Sequence, residues 1–308
     1  MTAARRGRYA VGYFESWNLE SLLAVADAAE QLRSPVILGF SGIYLPHPDR
    51  RVHDRLKPYA AMGLEVCKSL SVPASLLFNE SPHQDWVYSA VDCGFNVVML
   101  SDEELNWAER LAAIRDLTLY AHERGVAVEA EMQALVGVGG ELAGNQTPHD
   151  LQLTDPAAAL EFVRQTGVDA LAVNVGQVHL HGRRLVHLDL DRLRDLDKIS
   201  VPLALHGASS VARGDLQAAI ELGVCKINVG SRLKQVYLQA LQAACRAVSS
   251  TSNPYEVIGS GLEADVLVAG RVGMQREVEE YMKLFGSAGK IATGQVATGI
   301  ATGEPHVR

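Results

Sequence analysis

The chain has 308 residues, 48% of them hydrophobic and 21% charged, with a formal net charge of −8. Acidic residues are spread along it, and no basic stripe interleaves with aromatics, so a nucleic-acid partner is not expected. No apolar run approaches the roughly 18 residues a membrane span needs, and no apolar signal core follows the basic start Met1 to Arg8. The four cysteines are scattered without CxxC spacing and read as core thiols of a reducing compartment, which predicts a cytoplasmic protein.

In chain order, short apolar runs that suit buried strands alternate with helical segments. The first strand is Tyr9–Phe14, followed by helical spacing at Leu19, Leu22, Leu23 and Ala26. Strands at Pro35–Phe40, Pro73–Phe78 and Phe95–Leu100 follow. Next come a helix from Leu105 to His122, with Gly125 just past its end, and a strand at Val126–Glu131. Asp155 then offers an N-cap, Pro156 fits the first helical position, Leu160, Phe162 and Val163 form an apolar face, and Gly167 stops the helix. The last strands are Ala170–Val175, Pro202–His206 and Cys225–Val229.

Eight βα units predict a parallel sheet closed into a (β/α)8 TIM barrel. With aromatics at only 6%, its core must be mainly aliphatic, as suits strands buried on both faces. A doubly wound open sheet would carry a glycine-rich turn after its first strand, and FESWN is nothing like one. Residues 1–288 are read as one barrel, and the Gly/Ala/Thr-rich stretch 289–308 as a flexible tail.

Barrel enzymes place working residues just past the C-terminal strand ends. Those positions hold Glu15, Ser41, Asn79 with Glu80, Ser101 with Asp102, Glu131, Asn174 through His181, His206 and Asn228. His179, His181 and His206 lie at neighbouring strand ends, where two histidines and a carboxylate (Glu80 or Glu131) would make a catalytic metal set with one position open. The remaining histidines, His47 and His83 among them, are read as loop or surface residues. The loops HGASS (His206–Ser210) and NVGS (Asn228–Ser231) stand where many barrels hold a phosphate. Lys226, inside the last strand, is either a Schiff-base lysine or the partner of a barrel carboxylate. Arg183 and Arg184 face either a second anion or solvent.

The segments YAVGYFESWNLESLLAV, SPVIL, HERGVAVEAE, TDPAAALEFVRQTGVDALAV, VPLALHGASS, GVCKINVGS and KLFGSAGK, in this order and spacing, resemble the class II ketose-bisphosphate aldolases over about Arg8 to Lys290. The resemblance implies a divalent metal, zinc first among the candidates, that polarises the carbonyl of a dihydroxyacetone-phosphate unit and stabilises an enediolate. It implies three histidine ligands, of which His179 and His206 match here, with His181 the alternative to His179 and otherwise at the substrate; Glu80 stands in the place of the third and would ligate through oxygen. It also places Gly207, Ser209, Asn228, Gly230 and Ser231 at phosphate-binding positions, and it implies a homodimer or homotetramer.

The strand-three motif departs from the family. Where the family has HLDHG, whose Asp is the acid/base and whose second His is a ligand, this chain has Leu76-Leu77-Phe78-Asn79-Glu80-Ser81. Asn79 cannot exchange a proton as an Asp does, so its expected role is to orient the reacting hydroxyl. Glu131, or Glu141 in the loop after strand five, would take over proton transfer. The family's MIDGS after strand four is altered too, to Met99-Leu100-Ser101-Asp102-Glu103. The leading expectation is therefore a divergent metal-dependent lyase acting beside a carbonyl of a phosphorylated or acidic small molecule. The alternatives are a metal-dependent isomerase or epimerase using the same enediolate, and a non-catalytic sugar-phosphate-binding barrel.

Overall fold

Eight short strands rich in Val, Ile, Leu and Ala close into one parallel ring: β1 (Val11–Ser16), β2 (Val36–Ser41), β3 (Ala74–Ser81), β4 (Val97–Leu100), β5 (Ala127–Glu131), β6 (Ala170–Ala172), β7 (Leu203–Leu205) and β8 (Val224–Val229). Each strand pairs with the next, and β8 closes on β1 through the register Val11↔Lys226 to Phe14↔Val229. This computed structural model describes residues 1–135, 153–178 and 185–291, and the backbone of two short strands, Leu142–Ala143 and Leu180–His181, which pair with each other in parallel. The outward strand faces are covered by helices, which accounts for near-complete burial and for the aliphatic composition.

All eight expected strands are present, with ends shifted by tertiary hydrogen bonding. The first begins at Val11 because the Tyr9 N–H bonds the Ala4 carbonyl and the Ala10 N–H bonds that of Phe285. The sixth stops at Ala172: the Val173 N–H still reaches the Ala204 carbonyl, but the following two go elsewhere, Asn174 to the Thr154 hydroxyl and Val175 to the Gln177 side chain.

Helix ends follow local chemistry. Asn18 and Asn106 form capping boxes with Ser21 and Glu109. Asp155 accepts from the Ala158 N–H, Pro156 follows it, and Gly167 ends that helix in the left-handed conformation at φ 70. One expectation for this helix fails: Leu160 is 54% exposed, and the inward face is Ala159, Phe162, Val163 and Thr166. Cysteine burial also divides, with Cys67 and Cys225 buried, Cys93 half-buried and Cys245 exposed; all four are free thiols.

The barrel has a floor. The N-terminal helix Thr2–Gly7 packs Ala4 against Val11, Tyr13, Ile37, Leu77, Val97 and Cys225, an apolar cluster built largely from the N-terminal ends of the strands. Arg5 fixes this helix by donating to the carbonyls of Asp197 and Ile199, both at 2.7 Å, and of Ser200 at 2.9 Å. At the other terminus, Gly289 and Ile291 donate to the carbonyls of Leu32 and Arg33, so the first residues of the expected tail are stitched to the barrel; 292–308 lie outside the described residues. No helix among the described residues is long and apolar enough to cross a membrane.

Candidate active site

The polar chemistry gathers at the C-terminal end of the barrel, and β3 is shaped to supply it. Phe78 pairs with Val98 and Ser81 with Leu100, so β3 carries one residue more than β4 between those pairs. The extra residue is a bulge, and Glu80 within it has φ 53, a left-handed backbone rare outside glycine. The bulge breaks the strict alternation of faces, so consecutive side chains Asn79 and Glu80 both reach into the barrel mouth. Strain of this kind persists where surrounding contacts hold it.

Those contacts form a buried network. Glu80 Oε1 lies 2.7 Å from His206 Nδ1, and Glu129 Oε1 lies 2.7 Å from His206 Nε2. Lys226 Nζ sits 3.0 Å from Glu129 Oε1 and 2.9 Å from Oε2, the second contact lying off hydrogen-bond direction. Lys226 also donates to Asn228 Oδ1. Asn228 Nδ2 donates to Asn79 Oδ1 at 3.3 Å, and Asn79 Nδ2 donates to Glu80 Oε2 at 2.7 Å. Glu131, two residues beyond Glu129 and so on the same face, accepts from the Ser101 hydroxyl at 2.5 Å.

Burial and charge pull these groups in opposite directions. Burial alone would push the His206 imidazolium down, but the Glu80 charge and the hydrogen bonds to Glu129 and Glu80 hold it up at about 9. Burial would raise Glu129, yet the Lys226 ammonium and the His206 contact keep it below the usual carboxylate range. Glu131 is lifted to about 7 by burial and the Glu80 charge, against the opposing effects of His206 and the Ser101 hydroxyl. Tyr13, below the network, is pushed up by burial and by Glu15, Glu80 and Glu129.

Glu80, Glu131 and His206 each offer one ligand atom, all within 4.8 Å of one another and all three residues buried. Two carboxylates and an imidazole converging in a closed polar site are a donor set that fits a divalent cation, with nitrogen and oxygen ligands in the mix zinc accepts. His179 and Glu141 lie outside the described residues, as do Arg183 and Arg184, and His181 is described by its backbone alone.

The other expected residues fall into place differently. Asn79 is buried and its amide is engaged by Glu80 and Asn228. Asn228 points into the same network rather than toward the anion loops. Those loops do meet, through a bond from the Arg232 N–H to Ser209 Oγ at 3.4 Å, and Ser231 begins the helix Ser231–Ala247. Gly207, at φ 66, lets the first loop pass close to Val178 and Leu135. Gly230 leaves room for the Glu15 carboxylate, whose Oε1 pairs with Lys234 at 2.6 Å. Lys226 is the partner of a barrel carboxylate; an ammonium so paired is not the free amine a Schiff base requires. Glu129 was missed by strand-end reasoning because it lies one step inside β5. The signal was a charged residue at the inward parity of VAVEAE.

The fold and this buried donor set define a barrel enzyme with a candidate metal centre. Residues 1–290 match the family model "Fructose-bisphosphate aldolase class-II". A fructose-bisphosphate aldolase from Geobacillus stearothermophilus is 32% identical over 297 residues, covering 95% of this chain and 96% of that one. The crystal structure of the YdjI aldolase from Escherichia coli K12 superposes with a TM-score of 0.75 at 27% identity, covering 94% of this chain and 96% of that one. That of a proposed fructose-1,6-bisphosphate aldolase from Coccidioides immitis gives a TM-score of 0.77 at 28% identity, covering 94% and 95%. The chain belongs to the class-II fructose-bisphosphate aldolase family, as a divergent member with an altered strand-three motif. It is an aldolase-like lyase, a class whose chemistry uses a divalent metal.

Proposed function

We propose that this barrel makes or breaks a C–C bond beside the carbonyl of a small phosphorylated keto compound, by way of an enediolate. The observation that carries the reading is the convergence of Glu80, Glu131 and His206 within 4.8 Å in a family of aldolases. Glu80, Glu131 and His206 would hold the metal, with His179 as the further ligand that the resemblance implies. When bound, a zinc ion supplies Lewis-acid polarisation of a carbonyl oxygen.

The chain's own residues do the rest. Asn79 holds the second oxygen of Glu80, which keeps the first directed at His206. Ser101 holds one oxygen of Glu131 and leaves the other to the site. Since Asn79 cannot carry a proton and Glu131 stands within the donor set, we assign proton transfer to Glu141, which follows β5 in the sequence. The loops at Gly207–Ser209 and Gly230–Ser231 would receive the phosphate, with His181 at the substrate. We extend the reading to one catalytic barrel over 1–288, with 289–308 an appendage, assembled as a homodimer or homotetramer.

Elemental analysis of protein purified without a histidine tag, beside Glu80→Ala and His206→Ala, tests this reading. About one zinc per subunit, lost in both variants, is the expected result. A parent protein that takes up no divalent metal even on reconstitution would overturn it.

A further inference from the structure

We infer that Lys226 is a positioning residue for the metal centre, acting through Glu129 to fix which nitrogen of His206 faces the metal. The inference rests on the metal-assisted reading above and adds to it a residue that touches none of the reacting atoms.

The argument starts from the two nitrogens of His206. Nδ1 faces Glu80, a member of the donor set, while Nε2 faces Glu129, which is outside it. A cation seated among Glu80, Glu131 and His206 therefore takes Nδ1. Nε2 then carries the hydrogen, and Glu129 accepts it. A carboxylate on the far nitrogen of a ligating histidine fixes both tautomer and ring orientation.

As a carboxylate Glu129 can only accept, and it is 0% exposed, deep among apolar strands. Lys226, also 0% exposed, is the cation beside it, with Nζ within 3.0 Å of both carboxylate oxygens. Removing one partner of such a pair leaves an uncompensated buried charge. Lys226 has a second arm as well. Through Asn228 and Asn79 it reaches Glu80 Oε2, so one ammonium braces two of the three donors by separate routes. The Tyr13 ring, centred 5.3 Å from Nζ, closes the space beneath it.

The experiment measures zinc affinity by calorimetric titration of stripped protein, with circular dichroism to confirm folding. The tautomer of zinc-loaded His206 is read from nitrogen-15 NMR of histidine-labelled protein. Folded Lys226→Met is expected to bind zinc about 10- to 100-fold more weakly and to lose the defined Nε2–H signal. Lys226→Met/Glu129→Gln, whose amide oxygen accepts from Nε2–H without needing a counter-cation, is expected to regain most of the loss. Parental affinity and an unchanged tautomer in Lys226→Met would overturn the inference and leave the metal reading standing. Should Lys226→Met fail to fold, two neutral pairs carry the test: Lys226→Met/Glu129→Gln is expected to bind zinc at least about 10-fold more tightly than Lys226→Met/Glu129→Leu, and equal affinities overturn it. A parent that binds no zinc would overturn the metal reading and this inference with it.

Discussion

Glu80 and His206 meet across the barrel mouth at 2.7 Å, a carboxylate on the bulged end of β3 against an imidazole just past β7. Without metal, His206 is an imidazolium donating to a carboxylate on each side. A cation bound by the same atoms must displace a proton before Nδ1 can ligate it.

Metal loading should therefore release protons. With His206 held at about 9, close to one proton per ion is expected to appear at about pH 8, falling toward none above about pH 10. Calorimetric titrations of zinc in buffers of different ionisation heats would count them. A release near zero at pH 8 would remove His206 from the ligand set.

The metal-free protein should lose stability as pH rises. His206 at about 9 and Glu131 at about 7 both titrate higher in the folded protein than in the unfolded chain. The stability each gives is complete below its unfolded pKa, about 6.5 for His and 4.3 for Glu, and is lost as pH climbs through the folded value. Thermal melts of stripped protein should fall by on the order of 5 °C between about pH 6 and pH 9.5, less steeply in His206→Gln. A flat or rising profile would contradict these assignments.

Position 80 should separate backbone from side chain. Glu80→Ala and Glu80→Gly both remove the carboxylate and should abolish metal binding alike. Only alanine retains a Cβ at φ 53, so the glycine variant should be the more stable by about 1 kcal/mol. Denaturant melts of the two stripped variants would show it; an alanine variant at least as stable would rule out the left-handed bulge.

Gly230→Ala should act on substrate affinity rather than on the fold. The added methyl would meet the Glu15 carboxylate, the far end of a flexible side chain, and push it from Gly230. Stability should change by less than about 1 kcal/mol, since the Glu15–Lys234 pair it disturbs is partly exposed. For a phosphorylated substrate KM should rise with kcat largely kept, and a kcat loss at unchanged KM would show that this loop does not bind the substrate.

Much of this architecture was legible before folding. Runs such as PVILGF and CKINV are of a length that favours buried strands over helices, and eight of them alternating with helical segments point to a barrel. Glu80, Glu131 and His206 were visible as polar residues at strand ends. Two relationships were not. The pairing of Glu129 with Lys226 joins β5 to β8, strands that share no edge, and depends on how far each side chain rises inside the ring. The inward turn of Glu80 depends on a bulge at Asn-Glu, where no glycine signals a left-handed residue. Asn228 could have been read better: it stands two residues from Lys226 on one strand, so the two share a face.

The N-terminal helix gives the barrel the form of a cup rather than a tube. Lys226 and Glu129 are both 0% exposed between this floor and the mouth, where a bound substrate would cover them further. The lysine–glutamate pair is held dry in the protein itself, which strengthens the charge contacts around His206. The first seven residues, remote from the chemistry, thus help set the dielectric in which it runs. A cut that removes them would let solvent in from below and weaken catalysis with every site residue still in place.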